Sequence, residues 1–295
     1  MTPTLTDQVD PGTRLLRERI RSVFRHLPQA LAGNEERLHQ MRIAARRLRV
    51  ALPLLAQNPE GKKVRRALRG LRQLTRTPGA SRDLDVMVSQ AEEVWREPGA
   101  LSAEGRVLRR RLLAARSRSR RQMAEALLDL EIARLRRDLR AVLARGGDVL
   151  FSALVRLRET RDKDGEQALD LLASIGRRFD SEPLHEVRIR LRRLRYTAEV
   201  QDLLKGVRSD ATRRFKSLQE RLGHLRDAFV ISEWFASQAA RAERAGQTAL
   251  CTEARALARR FRETSLRHHR DLVDAHPDEL VRHALEEMGY GRTAA

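Results

Sequence analysis

Two twelve-residue segments of this chain are near copies of each other. Leu38-His39-Gln40-Met41-Arg42-Ile43-Ala44-Ala45-Arg46-Arg47-Leu48-Arg49 returns as Leu184-His185-Glu186-Val187-Arg188-Ile189-Arg190-Leu191-Arg192-Arg193-Leu194-Arg195, with eight of the twelve aligned positions identical. The shared pattern, H-x-x-R-I-x-x-R-R-L-R, is more specific than an Arg- and Leu-rich composition produces and points to an internal duplication. A second pair follows: Gly79-Ala80-Ser81-Arg82-Asp83 and Gly223-His224-Leu225-Arg226-Asp227 both read G-x-x-R-D. Each half therefore runs through a His/Arg helix, a second basic helix, a tight turn and a helix opened by Arg-Asp. In that position Asp83 and Asp227 are expected to cap helix starts or to sit at the positive end of the dipole.

Nearly every segment repeats apolar residues at spacings of three and four, and none alternates as a strand does, so the expected fold class is all-α. The pattern predicts helices over Thr13–Leu27, Glu35–Gln57, Gly61–Arg76, Arg82–Arg96 and Ala103–Arg145, the last broken once. The second half predicts Leu150–Phe179 with an interruption near Asp162–Gly165, then Pro183–Leu204, Asp210–Leu222, Arg226–Ala245, Thr248–Val273 and Pro277–Met288. Pro28, Pro59, Pro78, Pro98 and Pro277 fall between these runs, and Ser181-Glu182-Pro183 reads as a cap followed by a first-turn proline. Pro53 lies inside a run and should kink or shorten that helix. Gly146-Gly147 is the clearest break between halves, which places a seam near Gly147.

At about 100° per residue, His39, Arg42, Arg46 and Arg49 share one stripe of their helix, beside an apolar face of Met41, Ala45, Leu48 and Leu52. His185, Arg188, Arg192 and Arg195 repeat the stripe beside Val187, Leu191 and Leu194. Ordinary solvated faces mix Glu with Arg in intrahelical pairs, and these stripes do not. The following helix carries Lys62, Arg65, Arg69, Arg72 and Arg76 on one face; its counterpart keeps only Arg213 and Lys216, interrupted by Glu220.

The formal net charge of +20 calls for a polyanionic partner, since so much like charge repels itself. Of the 60 basic residues five are lysines, and Arg grips phosphate oxygens bidentately where Lys offers a point charge. Nucleic acid, an anionic membrane and inorganic polyphosphate are the candidates. An aromatic content of 4% disfavours a reader of single strands, which stacks bases on aromatic platforms. Duplex nucleic acid, bound without sequence preference, and a polyanion without bases stay open. No apolar run approaches the roughly 20 residues that span a bilayer, and Met1–Asp10 lacks the features of a secretory signal, so a cytoplasmic location with no membrane partner is expected.

One histidine per half, with no second ligand at i+4, is a poor metal pattern. A neutral imidazole can instead orient an arginine or donate to a phosphate oxygen. No Gly-rich phosphate loop, nucleophile turn or Cys/His cluster is present, so neither a catalytic nor a metal-binding residue is assigned, no cofactor is implied, and the chain is read as a binder and not an enzyme, with a polyphosphate-processing phosphohydrolase or a metal-chelating regulator as a further alternative.

The paired H-x-x-R-x-x-x-R-R-L-R helices, each followed by G-x-x-R-D, resemble the CHAD family, named for a helical domain with characteristic histidines, over about Thr13–Val273. The resemblance implies two four-helix bundles, residues 13–146 and 147–288, related by pseudo-two-fold symmetry with a basic channel between them. It also implies binding of inorganic polyphosphate and association with polyphosphate granules. Carried over by position, the ligand set is His39, Arg42, Arg46, Arg47 and Arg49 with His185, Arg188, Arg192, Arg193, Arg195 and Tyr196. Arg69, Arg72, Arg82, Lys216 and Arg226 extend it. Pro53, the residues Thr75–Pro78 and the irregular stretch Arg161–Glu166 depart from the family pattern.

Overall fold

A computed structural model of the chain describes residues 10–144 and 149–291. Helices follow one another throughout: α1 (Pro11–Leu31), α2 (Glu35–Leu55), α3 (Lys62–Arg76), α4 (Gly79–Trp95), α5 (Ala103–Leu128), α6 (Ile132–Leu143), α7 (Leu150–Ser174), α8 (Ser181–Lys205), α9 (Ala211–Arg244), α10 (Thr248–Val273) and α11 (Pro277–Glu287). The described residues contain no strand, as the periodicity predicts, and no helix among them is long and apolar enough to cross a membrane. The seam expected near Gly147 lies outside the described residues.

Local chemistry sets several ends. Asn34 accepts from the Arg37 amide at 2.9 Å and opens α2, the first motif helix. Asp180, not Ser181, caps α8, accepting from the Glu182 amide at 3.1 Å, while Gly206 closes that helix at φ 67°. Pro28 lies within α1, which runs on to Leu31. Pro53 withholds the amide that would reach the Arg49 carbonyl, and α2 ends two residues later at Leu55.

Two expected interruptions are continuous helix. Arg161–Glu166 lies inside α7 because its polar groups find buried partners: Arg161 Nη1 donates to the Met288 carbonyl at 2.7 Å, and Asp164 pairs with Arg193 at 3.0 Å and Arg190 at 3.4 Å. Gly223 lies inside the 34-residue α9, so Asp227 caps nothing. Glycine weakens a helix by about 1 kcal/mol without barring it, and buried Leu222 and Leu225 fix the flanking turns. In the first half Pro78 divides α3 from α4, and Pro78 itself, not Asp83, is the N-terminal cap of α4.

Three buried apolar clusters hold these helices. One joins α1, α2, α3 and α6 to Ala153 and Leu157 of α7 and Val200 of α8. Another joins α7, α8, α11, the first half of α9 and Leu272 of α10. The third packs α4 and α5 against α10 and the second half of α9, with Phe235 stacked on Phe261 at 5.8 Å. Met41, Ala45, Leu48 and Leu52 anchor α2, and Val187, Leu191 and Leu194 anchor α8. Each fully buried Leu contributes about 1.5–3 kcal/mol over an exposed one, so the apolar face fixes the rotation of each motif helix. With α2 also packed on α8, that rotation decides where both arginine stripes face.

Candidate anion-binding cleft

Arg46 of α2 and Arg192 of α8 meet on the walls of two neighbouring cavities. The larger, about 600 Å3, lies among α2, α3, α7 and α8 and is lined by Arg46, Arg49, Arg72, Arg76, Arg156, Arg192, Arg193 and Tyr196, with Pro53 and Thr75. The second, about 290 Å3, lies among α2, α8 and α9 and adds Arg188, Arg195, Gln219 and His224. Arg46, Arg192 and Tyr196 border both, so these three side chains stand between two adjacent cavities, which together make up the basic cleft.

Among the described residues, Arg46, Arg188 and Arg192 have no hydrogen-bond partner and no carboxylate within ion-pair distance. Burial lowers the pKa of all three, and the neighbouring guanidinium of Arg46 adds to the effect at Arg192, which falls to about 10. Arg42, buried and donating to the Pro78 carbonyl, is likewise lowered to about 10 by burial. All remain charged at neutral pH. Asp83 and Asp227 offset these charges only from a distance, and a half-buried positive surface so incompletely neutralised is costly alone and is relieved by an anion.

Other cleft residues are held by neighbours. Glu199 takes Arg47 Nε at 2.8 Å, Arg195 at 3.5 Å and Arg19 at 3.6 Å, and Arg47 and Arg195 flank the Tyr196 ring at 5.9 and 5.1 Å. Arg195 also donates to Gln219 at 3.1 Å, and Arg49 to Thr75 Oγ1 at 3.1 Å. Asp164 restrains Arg193. These contacts leave the cleft fewer free cations than the sequence pattern suggests, but in fixed positions.

The histidines couple the two motifs. Burial and then Arg82 lower the His39 pKa; burial and then Arg226 lower that of His185. The charge of the arginine in each half's G-x-x-R-D segment thus acts on that half's histidine. Arg226 in turn pairs with Asp83 of the other segment, while Asp227 is raised by burial against the opposing pull of Arg188 and Arg226. Among the described residues, no three His, Cys, Asp or Glu side chains converge as a metal site.

Eight carried-over positions border neither basic cavity: His39, Arg42, Arg47 and Arg82, then His185 and Arg226, and also Arg69 and Lys216. Arg69 lines a separate cleft between α3 and α6, near the Arg66–Asp138 pair, and exposed Lys216 pairs with Glu220 at 3.5 Å. Sequence reasoning missed Arg156, whose guanidinium donates to the Leu54 and Ala56 carbonyls while lining the larger cavity. It also missed Glu199, which lies one turn beyond Arg195 and was open to an i,i+4 reading.

A helical protein built around two matching His/Arg helices that line basic cavities belongs to a recognisable class, that of all-helical domains with a basic cleft. The CHAD domain family model matches residues 14–236, and the chain belongs to that family. It is 27% identical over 253 residues to the uncharacterized protein MT2285 of Mycobacterium tuberculosis strain CDC 1551 / Oshkosh, and equally to the uncharacterized protein Rv2226 of strain ATCC 25618 / H37Rv. Those alignments cover 81% of this chain and 47% of each relative, so the chain spans about half the length of the curated relatives it matches. The crystal structure of the CHAD domain from the plant Ricinus communis superposes with a TM-score of 0.58 at 22% identity, covering 97% of this chain and 95% of that one, and shares its fold.

Proposed function

We propose that this chain binds inorganic polyphosphate, the linear chain threading between α2 and α8 past Arg46 and Arg192. The observation that carries this reading is the meeting of Arg46, Arg188 and Arg192, one from the first motif copy and two from the second, on shared cavity walls without carboxylate partners. Binding neutralises these cations and releases counterions, and the low-dielectric helix walls focus the field along the cleft. A chain long enough to touch both motif helices gains avidity that orthophosphate lacks.

On this reading residues 13–146 and 147–288 are two halves related by a pseudo-two-fold axis, each contributing one wall. Two features support it: the order of the matched motifs, and the crossing of Arg226 to Asp83 between segments. The protein holds the polymer and does not cleave it, acting in the cytoplasm at polyphosphate granules.

The test is charge reversal of both central arginines. R46E/R192E should lose long-chain polyphosphate binding while its circular dichroism stays helical, and in the wild type polyphosphate should displace duplex DNA at equal phosphate concentration. Retained affinity in the double variant, or preference for the duplex, rejects the proposal.

A further inference from the structure

A third cavity, about 280 Å3 and mostly apolar, adjoins the basic cleft where α8 and α9 diverge. Phe179 and Phe229 stand on its wall with ring centroids 5.3 Å apart, and His185, Arg188 and Arg226 border it. Arg262 of α10 lies over both rings, at 4.5 and 5.0 Å, and holds them as a fixed aromatic surface. Arg188 also lines the 290 Å3 basic cavity, so this unpartnered cation stands between the apolar space and the basic one.

Among the described residues the first half has no such aromatic surface, and the aligned residues show why. Two positions beyond the Arg-Asp pair stand Asp85 in one half and Phe229 in the other; four before the histidine stand Glu35 and Ser181. Arg120 bridges Asp85, at 2.6 Å, to Glu35, and ties up that space with an ion-pair cluster. The second half replaces both carboxylates and leaves an aromatic-lined cavity beside a phosphate-binding surface.

We propose that this cavity receives the base of a nucleoside polyphosphate whose phosphate chain passes Arg188 into the cleft. Only a ligand with an aromatic ring at one end and several negative charges in line satisfies both surfaces at once. A fatty acid fills the apolar space but brings a single charge to two bordering arginines and leaves the rest of the basic surface unmet. A bare polyphosphate leaves the rings uncovered. Ser181 and the Glu182 carboxylate at the rim offer partners to the exocyclic amino group of a base.

The inference rests on the polyphosphate reading of the cleft, and the experiment separates the two. Calorimetry of the full chain compares adenosine tetraphosphate with inorganic tetrapolyphosphate and with long-chain polyphosphate. Stacking on an aromatic surface is worth enough per base that adenosine tetraphosphate should bind at least about tenfold tighter than the inorganic tetramer. The ratio should fall to about one in F229D, which restores the first half's residue, and in S181W, which blocks the rim from an exposed position and so survives any folding defect of F229D. Equal binding of the two tetraphosphates while long-chain polyphosphate still binds overturns this inference alone. So does a ratio that persists in folded S181W. Failure of all three ligands overturns the proposed function and this inference with it.

Discussion

The Arg226 guanidinium of α9 donates to both carboxylate oxygens of Asp83 in α4, at 3.1 and 3.4 Å, and so joins the two G-x-x-R-D segments to each other. Both side chains are partly exposed, which limits the pair to less than about 1 kcal/mol of stability. Asp83 acts there as an internal counter-ion competing with any bound anion. D83N should therefore fold normally and bind polyphosphate more tightly, with a log–log salt slope steeper by about one unit as Arg226 becomes available. Titrations at several salt concentrations measure both effects, and weaker binding in D83N would sink the counter-ion reading.

Glu199 has the opposite role. Its carboxylate, 12% exposed, is the common partner of Arg19, Arg47 and Arg195, three cations from three helices. Removing the shared anion of a partly buried ion cluster leaves the arginines uncompensated, at a cost of about 1–3 kcal/mol, between the exposed and the fully buried limits. E199Q should melt several degrees below the wild type, and polyphosphate should restore more of the melting temperature in the variant, because the freed arginines accept the ligand as a substitute. Thermal denaturation with and without polyphosphate decides this. An unchanged melting temperature would mean that the arginines repel too weakly to need their anchor.

The side of α2 that carries the cleft-lining arginines was legible from spacing, because burial of Met41, Ala45 and Leu48 turns Arg46 and Arg49 to the adjoining face, whereas Arg42 of the same stripe is spent on the Pro78 carbonyl. The same logic located Arg188 and Arg192 beside Leu191. It failed where a residue's environment comes from a distant element. Arg69 and Arg72 are three residues apart on α3, yet Arg69 borders α6 and Arg72 borders the cleft. Nothing in the local pattern of α3 says where α6 packs. Gly223 matched Gly79 in sequence and suggested a turn, but the break in the first half belongs to Pro78, for which Leu222 is no equivalent. Asp164 and Arg161 read as a polar loop because their partners, Arg190, Arg193 and the Met288 carbonyl, are far along the chain.

The histidines make binding proton-linked. His39 and His185 lie below the usual imidazole pKa, first through burial and then through Arg82 and Arg226 respectively. A polyanion in the cleft offsets those positive neighbours and raises both values, so binding takes up protons and affinity rises as pH falls. The gain should be steepest below about 6.5, where the free imidazoles are still neutral. Asp227, raised by burial, contributes with the same sign, since its protonation removes a competing negative charge. Calorimetry in buffers of different ionisation enthalpy should register proton uptake, reduced in H39Q/H185Q. A flat affinity profile between about pH 7 and 5 would show the imidazoles to be bystanders.

Gly165 permits the close approach of α11 to α7. A Cβ there would meet the two methyl carbons of Leu285 at 2.9 and 3.0 Å, and Leu285 is completely buried with Val281 and Ala284 around it. Two effects oppose each other in G165A. Alanine improves helix propensity by about 0.8–1 kcal/mol, and overpacking a closed site costs about 1–3 kcal/mol. Because Leu285 has no solvent to turn toward, the clash should win, and the variant should lose about 1 kcal/mol in urea denaturation. Gly165 borders neither basic cavity, so polyphosphate affinity should stay within twofold of the wild type, about 0.4 kcal/mol. A stabilised variant would mean that α11 yields easily and that its packing against α7 is looser than the buried contacts imply.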